Sequence, residues 1–136
     1  MIFMKCERCG NIITTLQSSG IIPQCCGEPM KQLLPGITDG SVEKHVPVIK
    51  MIRGTRDGSK ARAVIVEIGT APHPMSPEHY VQWIILETNL GFRVHYLNEY
   101  DPPKACFPLA EGEEPVAAYE YCNLHGLWRA EMNPGK

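Results

Sequence analysis

Four of the six cysteines fall within the first 26 residues, as Cys6-Glu7-Arg8-Cys9 and the adjacent pair Cys25-Cys26, each half followed by a glycine, Gly10 and Gly27. The stretch that carries them runs out at Pro35-Gly36-Ile37-Thr38-Asp39-Gly40-Ser41, rich in residues that break regular structure, and the boundary of a first domain, residues 1–36, is set there. A piece of fewer than about 40 residues rarely buries enough apolar surface to fold alone. A metal held by the four thiolates is the obvious source of the missing stability. Each glycine permits a tight turn whose backbone amides can donate to the sulfurs, which would raise the reduction potential of a bound iron. Four thiolates suit tetrahedral zinc as well as iron, so the spacing does not name the metal. Either way the site has no open position and can only hold the fold together or pass electrons.

The remaining residues, 37–136, read as a β domain. Short runs rich in β-branched and aromatic residues at 46–52, 63–68, 80–86, 92–97, 116–121 and 127–130 predict strands. Arg56-Asp57-Gly58, residues 71–77, Asn89-Leu90-Gly91 and Asp101-Pro102-Pro103 punctuate them at the spacing of an antiparallel sandwich or barrel. No long helical period is present, and a buried helix is the alternative for 80–86. The composition is that of an ordinary globular protein, 43% apolar and 21% charged. A net charge of −2 leaves no clustered basic face for nucleic acid. No run approaches the ~18 apolar residues of a membrane span, and Met1-Ile2-Phe3-Met4-Lys5 leads into Cys6 without a secretory signal. The expected location is the cytoplasm, where clustered cysteines serve as ligands rather than disulfides.

All five histidines lie in this second part, at 45, 73, 79, 95 and 125, together with Cys106 and Cys122. Cys122-Asn123-Leu124-His125 puts a thiol and an imidazole three residues apart at the end of a predicted strand. His73 and His79 flank Pro74-Met75-Ser76-Pro77-Glu78, which proline stiffens, so that both rings are presented at little entropic cost. One soft thiolate with several imidazoles suits iron or copper better than magnesium or calcium.

Two resemblances narrow these readings. Met4-Lys5-Cys6-Glu7-Arg8-Cys9-Gly10 with Cys25-Cys26-Gly27-Glu28-Pro29-Met30 closely resembles desulforedoxin and the matching domain of desulfoferrodoxin, in which the adjacent cysteines depart from the zinc-ribbon spacing. Glu43-Lys44-His45-Val46-Pro47, then His73-Pro74-Met75 with His79-Tyr80 and Trp83, then Cys122-Asn123-Leu124-His125-Gly126-Leu127-Trp128 are similar, in order and spacing, to the catalytic centre of superoxide reductases. Together the motifs span nearly the whole chain.

The resemblance implies a mainly β protein, a small desulforedoxin-like metal-binding module at 1–36 followed by an immunoglobulin-like antiparallel β-sandwich at 37–136. It implies iron on Cys6, Cys9, Cys25 and Cys26, and a second, catalytic iron with His45, His73, His79 and His125 as equatorial ligands and Cys122 as the axial thiolate. The implied activity is one-electron reduction of superoxide to hydrogen peroxide without formation of dioxygen, a detoxifying reaction in an anaerobe or microaerophile. A rubredoxin-like protein would donate the electrons, and the chain would be a homodimer. Lys44 would draw in the anionic substrate, and Glu43 would close onto the ferric iron after turnover. His95 matches no motif and is expected to be an ordinary strand residue, Cys106 a small buried thiol packing a strand, and Trp83 and Trp128 core residues that could shield the iron. Two rival readings remain at this point: a zinc-ribbon interaction module joined to a structural sandwich, and a copper-binding electron-transfer sandwich.

Overall fold

The computed structural model describes residues 1–133, the Arg56 side chain excepted. The chain divides into two compact units, Met1–Pro35 and a second that begins at Gly36. The first has five short strands: β1 (Phe3–Lys5), β2 (Ile12–Thr14), β3 (Gln24–Cys25), β4 (Glu28–Pro29) and β5 (Lys31–Leu33). β1 lies between β2 and β5 in an antiparallel sheet, and β3 pairs with β4. Its buried residues are Phe3, Cys6 and Met30, while Leu16, Ile21 and Ile22 are exposed. So small a core is what the chain length alone demands of a unit that leans on something other than hydrophobic burial.

The second unit opens with one helical turn, α1 (Val42–His45), followed by seven strands: β6 (Pro47–Arg56), β7 (Ser59–Ile68), β8 (Val81–Thr88), β9 (Gly91–Tyr96), β10 (Lys104–Pro108), β11 (Pro115–Cys122) and β12 (Gly126–Glu131). They form two antiparallel sheets, ordered β10-β7-β6 and β12-β11-β8-β9. The alternation Val64, Val66, Ile68 turns one face of β7 inward, where Ala105 and Phe107 of β10 lie beside them. From the other sheet Val81, Ile84, Leu86 and Ala118 meet them, and the two inner faces make one core. Each fully buried aliphatic side chain there contributes about 1.5–3 kcal/mol. The unit is the β-sandwich expected, and the run at 80–86 is strand rather than helix.

Two departures from the sequence reading belong here. β10 was hidden by the prolines at 102, 103 and 108 that bracket it. It sits at the sheet edge, where a missing amide donor is tolerated. Cys106 is exposed rather than buried. On β10 the inward positions belong to Ala105 and Phe107, and strand geometry turns the residue between them outward.

The sandwich has two distinct ends. At one, β6 and β7 join through Asp57-Gly58, both with positive φ (51° and 77°), the two-residue hairpin turn whose twist matches the strands. At the other, β6 and β12 begin, β7 and β11 end and β8 begins, since Pro47 pairs with Ile68 and Cys122 with both Val81 and Gly126. His45, His73, His79, Cys122 and His125 are all at this second end, whereas His95 and Cys106 lie within β9 and β10.

Candidate metal centres

In the first unit Cys6 follows β1 and starts a knuckle closed by Gly10 N donating to Cys6 O at 3.0 Å, with Gly10 at φ 80°. The Cys9 amide points at Cys6 Sγ, 3.5 Å away. It is the main reason the Cys6 thiol is drawn down to about 6. The second half is a tight hairpin: Cys25 pairs with Glu28, and Cys26 and Gly27 form the turn with φ of 54° and 75°. This left-handed turn is how two adjacent cysteines face one point. The four sulfurs lie within 4.8 Å of one another, Cys9 and Cys25 at 3.6 Å. A tetrahedron with metal–sulfur bonds of ~2.3 Å has edges near 3.8 Å, so the quartet fits a closed four-thiolate site. Hydrogen bonding to Cys9 and then Cys6 pushes the Cys25 thiol up to about 12.

In the second unit four imidazoles form a ring. His45–His73, His73–His79, His79–His125 and His125–His45 have centroid separations of 4.7, 4.7, 5.1 and 4.8 Å with interplanar angles of 72–84°, whereas His45 and His79 face each other at 6.2 Å and 30°. Four nearly equal sides and near-perpendicular neighbours make this a four-sided arrangement. The ring nitrogens that face its centre can be assigned. His45 Nδ1 donates to Ser41 O at 2.7 Å and His73 Nδ1 to Pro74 O at 2.6 Å, and a carbonyl can only accept, so in both neutral rings Nε2 turns its lone pair inward. His125 uses the other nitrogen: its Nδ1 is 3.1 Å from His45 Nε2 and 3.9 Å from Cys122 Sγ. His73 Nε2 and His79 Nε2 are buried with no hydrogen-bond partner among the described residues. Buried ring nitrogens left with an unused lone pair are costly unless something cationic satisfies them.

The protonation states agree with a metal site. Burial holds His45, His73 and His79 below the usual imidazole range, His73 at about 4, so the rings are neutral ligands. Burial likewise pushes the Cys122 thiol up, against the pull of the Leu124 and His125 amides. A positive ion at the centre reverses that balance and leaves a thiolate. Five donors, four imidazoles and one sulfur, fit an iron ion that keeps one of six positions free.

Local folding brings the donors together. A register shift between Tyr121 and Cys122 sets Cys122 opposite Val81 instead of Gln82, a bulge that re-aims the sulfur. Asn123, inside the Cys122–His125 turn, binds the Tyr80 amide through Oδ1 (2.9 Å) and the Glu78 carbonyl through Nδ2 (2.9 Å), tying that turn to the loop that carries His79. Gly69, at φ 85°, lies where a Cβ would meet Ala71 O and, at 2.8 Å, Glu43 O, and Glu43 O accepts from Thr70 N at 2.8 Å and Ala71 N at 3.2 Å. The backbone of Glu43 is thus fixed while the side chains of Glu43 and Lys44 are exposed. The charge of Lys44 reaches the centre, adding to what lowers His45 and His79. Trp128 stacks on His45 at 4.9 Å and 26°, against the ligand, whereas Trp83 stacks on Tyr121 at 5.6 Å. His95 stands apart, with its ring near Phe107.

Sequence reasoning missed Asn123 and Glu120. Glu120 is fully buried on the inward face of β11 two residues before Cys122, neither oxygen has a hydrogen-bond partner among the described residues, and burial pushes its carboxyl well above the usual range.

Comparison with known proteins agrees with this geometry. A family model described as desulfoferrodoxin matches residues 37–131. A desulfoferrodoxin from Syntrophotalea carbinolica is 45% identical over 127 residues, covering 93% of each chain, and one from Nitratidesulfovibrio vulgaris is 42% identical with the same coverage. The crystal structure of the superoxide reductase from Treponema pallidum superposes with a TM-score of 0.75 at 29% identity, covering 95% of this chain and 98% of that one. By sequence over both units and by fold, the chain belongs to the desulfoferrodoxin family.

Proposed function

We infer that the chain is a superoxide reductase, consuming one superoxide, one electron and two protons to make one hydrogen peroxide. The observation that carries this is the convergence of four imidazole nitrogens and the Cys122 sulfur on one point at the end of the sandwich. Iron held there would alternate between ferrous and ferric and supply the single electron. The chain does the rest. Carbonyls of Ser41 and Pro74 fix two ring tautomers, and the amides of Leu124 and His125 hold the sulfur, so the donor set is preorganised. Cys122 adds electron density that favours release of a reduced product. Lys44 supplies the local positive field that a protein of net charge −2 otherwise lacks for drawing in a small anion. Glu43, exposed on the same turn, would approach the centre once product has left.

The four-cysteine unit, with iron on Cys6, Cys9, Cys25 and Cys26, has the chemistry of an electron relay, and a rubredoxin-like protein is the donor class that fits a one-electron thiolate site. The exposed Leu16, Ile21 and Ile22 of so small a unit support a homodimer. Four unpaired cysteines in that unit suit a reducing compartment, the cytoplasm. No helix among the described residues is long and apolar enough to cross a membrane.

The test is stoichiometric. Superoxide generated in a pulse against the ferrous, iron-loaded protein yields one peroxide per superoxide and no dioxygen. Half that peroxide together with dioxygen would mean dismutation and would overturn the reading, and a colourless protein with zinc at the four-cysteine site, or copper at the His/Cys centre, would restore one of the rivals. Lys44→Ala lowers the second-order rate about 10-fold and flattens its dependence on ionic strength, with iron retained; loss of iron would make Lys44 structural instead. Glu43→Ala leaves the rate of reduction near wild type and changes the ferric spectrum, and a collapse in rate would contradict a role after product formation.

A further inference from the structure

The breaker-rich run 35–41 reads in sequence as a connection between domains. In the structure residues 36–41 are fastened to the His/Cys centre at successive points. Gly36 N donates to Leu127 O at 2.9 Å, Thr38 Oγ1 donates to His125 O at 2.6 Å, and Ser41 O accepts from His45 Nδ1 at 2.7 Å. His125 O takes a second donor, Trp128 Nε1, at 3.1 Å. Between these ties Gly40 lies directly against the imidazoles. A Cβ at that position would stand 2.9 Å from His125 Cβ, 3.0 Å from His125 Cγ and 3.1 Å from His45 Cε1. Gly40 is not among the glycines of positive φ, so what the site uses is its lack of a side chain rather than its backbone freedom.

We propose that residues 36–41 are a strap that sets the ring orientations of the metal centre, with Thr38 and Gly40 as positioning residues for His125 and His45. The inference rests on the reading of this centre as an iron site. The physical reason is that His125 sits in the turn between β11 and β12, and its Nδ1 must face His45 Nε2 and Cys122 Sγ together. Two side-chain donors lock its carbonyl, and the Gly40 backbone blocks the ring from rotating away from the centre. Outer groups of this kind typically govern metal affinity by about 10–100-fold. Thr38 touches neither the substrate position nor a ring nitrogen; its hydroxyl acts through the His125 backbone.

The test uses full-length, iron-loaded protein and follows transfer of iron from the His/Cys centre to excess ferrous chelator, together with the centre's ferric absorption band. Gly40→Ala and Thr38→Val release iron about 10–100-fold faster than wild type and shift the band. Thr38→Ser, which keeps the hydroxyl, stays close to wild type, and so does Gly54→Ala, whose added methyl meets nothing within 4 Å. If Gly40→Ala fails to fold, the Thr38→Val and Thr38→Ser pair decides alone. Wild-type release rates and spectra in both Thr38→Val and Gly40→Ala would overturn the strap. A wild-type protein that holds no iron at this centre would overturn the reading of the centre itself, which separates the two failures.

Discussion

Cys122→Ser abolishes superoxide reduction, lowering the rate constant of the iron-loaded protein by at least ~100-fold, while the sandwich stays folded. An outer-shell change already costs about 10–100-fold, and this one replaces a donor. Serine's hydroxyl is a hard ligand that stays protonated near neutrality, so it supplies neither the charge nor the polarisable electron pair of a thiolate. The fold tolerates the exchange because the volume change is small and the Leu124 and His125 amides, which now lean on the sulfur, can donate to the new oxygen. Circular dichroism and thermal melting should overlay wild type within the few degrees that about 1 kcal/mol moves a domain of this size. The measurement is pulsed superoxide decay with iron content checked beforehand. A variant that keeps its iron and its wild-type rate removes Cys122 from the catalytic set.

The five donors of the His/Cys centre are legible in the sequence. Four of them lie in two short motifs whose residue types have few other uses together, a thiol and an imidazole three apart and two imidazoles on either side of a proline-stiffened loop, and His45 enters through the resemblance carried by Glu43-Lys44-His45-Val46-Pro47. The strands of the sandwich were legible because runs such as 63–68 are short and rich in β-branched residues, although the alternation of Val64, Val66 and Ile68 toward the core shows only in the fold. Both faces of β11 are buried, with Ala117, Tyr119 and Tyr121 on one side and Ala118, Glu120 and Cys122 on the other, so nothing in the polarity of the strand reveals that Glu120 points inward beside the metal centre. Cys106 failed in the opposite sense, because its hydrophobic character suggested burial while its parity on an unrecognised strand put it outside. The strap was illegible for a different reason: it acts through one hydroxyl across 87 residues and through an atom that glycine does not have. Neither leaves a period in the sequence.

Replacing both Cys25 and Cys26 with serine removes the four-thiolate iron and unfolds the first unit, yet leaves the intrinsic reaction with superoxide near its original rate. The argument begins with burial. Phe3, Cys6 and Met30 are the buried residues of the unit, and one of these is itself a ligand, so metal binding supplies folding energy that side-chain packing does not. The hairpin that carries the two cysteines is two residues per strand, with its turn in the left-handed region at both central positions, an arrangement too short to persist without the ion that ties it to the Cys6 knuckle. The second unit has its own core of Val64, Val66, Ile68, Ile84, Leu86 and Phe107 and carries all five donors of the catalytic centre, together with Lys44. Loss of the first site's visible absorption should therefore accompany loss of the N-terminal amide signals, with the sandwich melting as before. Pre-reduced protein, its remaining iron verified, then meets a superoxide pulse, and the second-order rate constant should stay within about twofold of wild type, because the local field and the donor set are unchanged. Turnover driven by a protein donor is the quantity that falls if electrons enter through the four-cysteine iron. A fast phase lost from a fully loaded His/Cys centre would show instead that the quartet takes part in the chemistry, and the division into an electron-carrying unit and a catalytic one would be wrong.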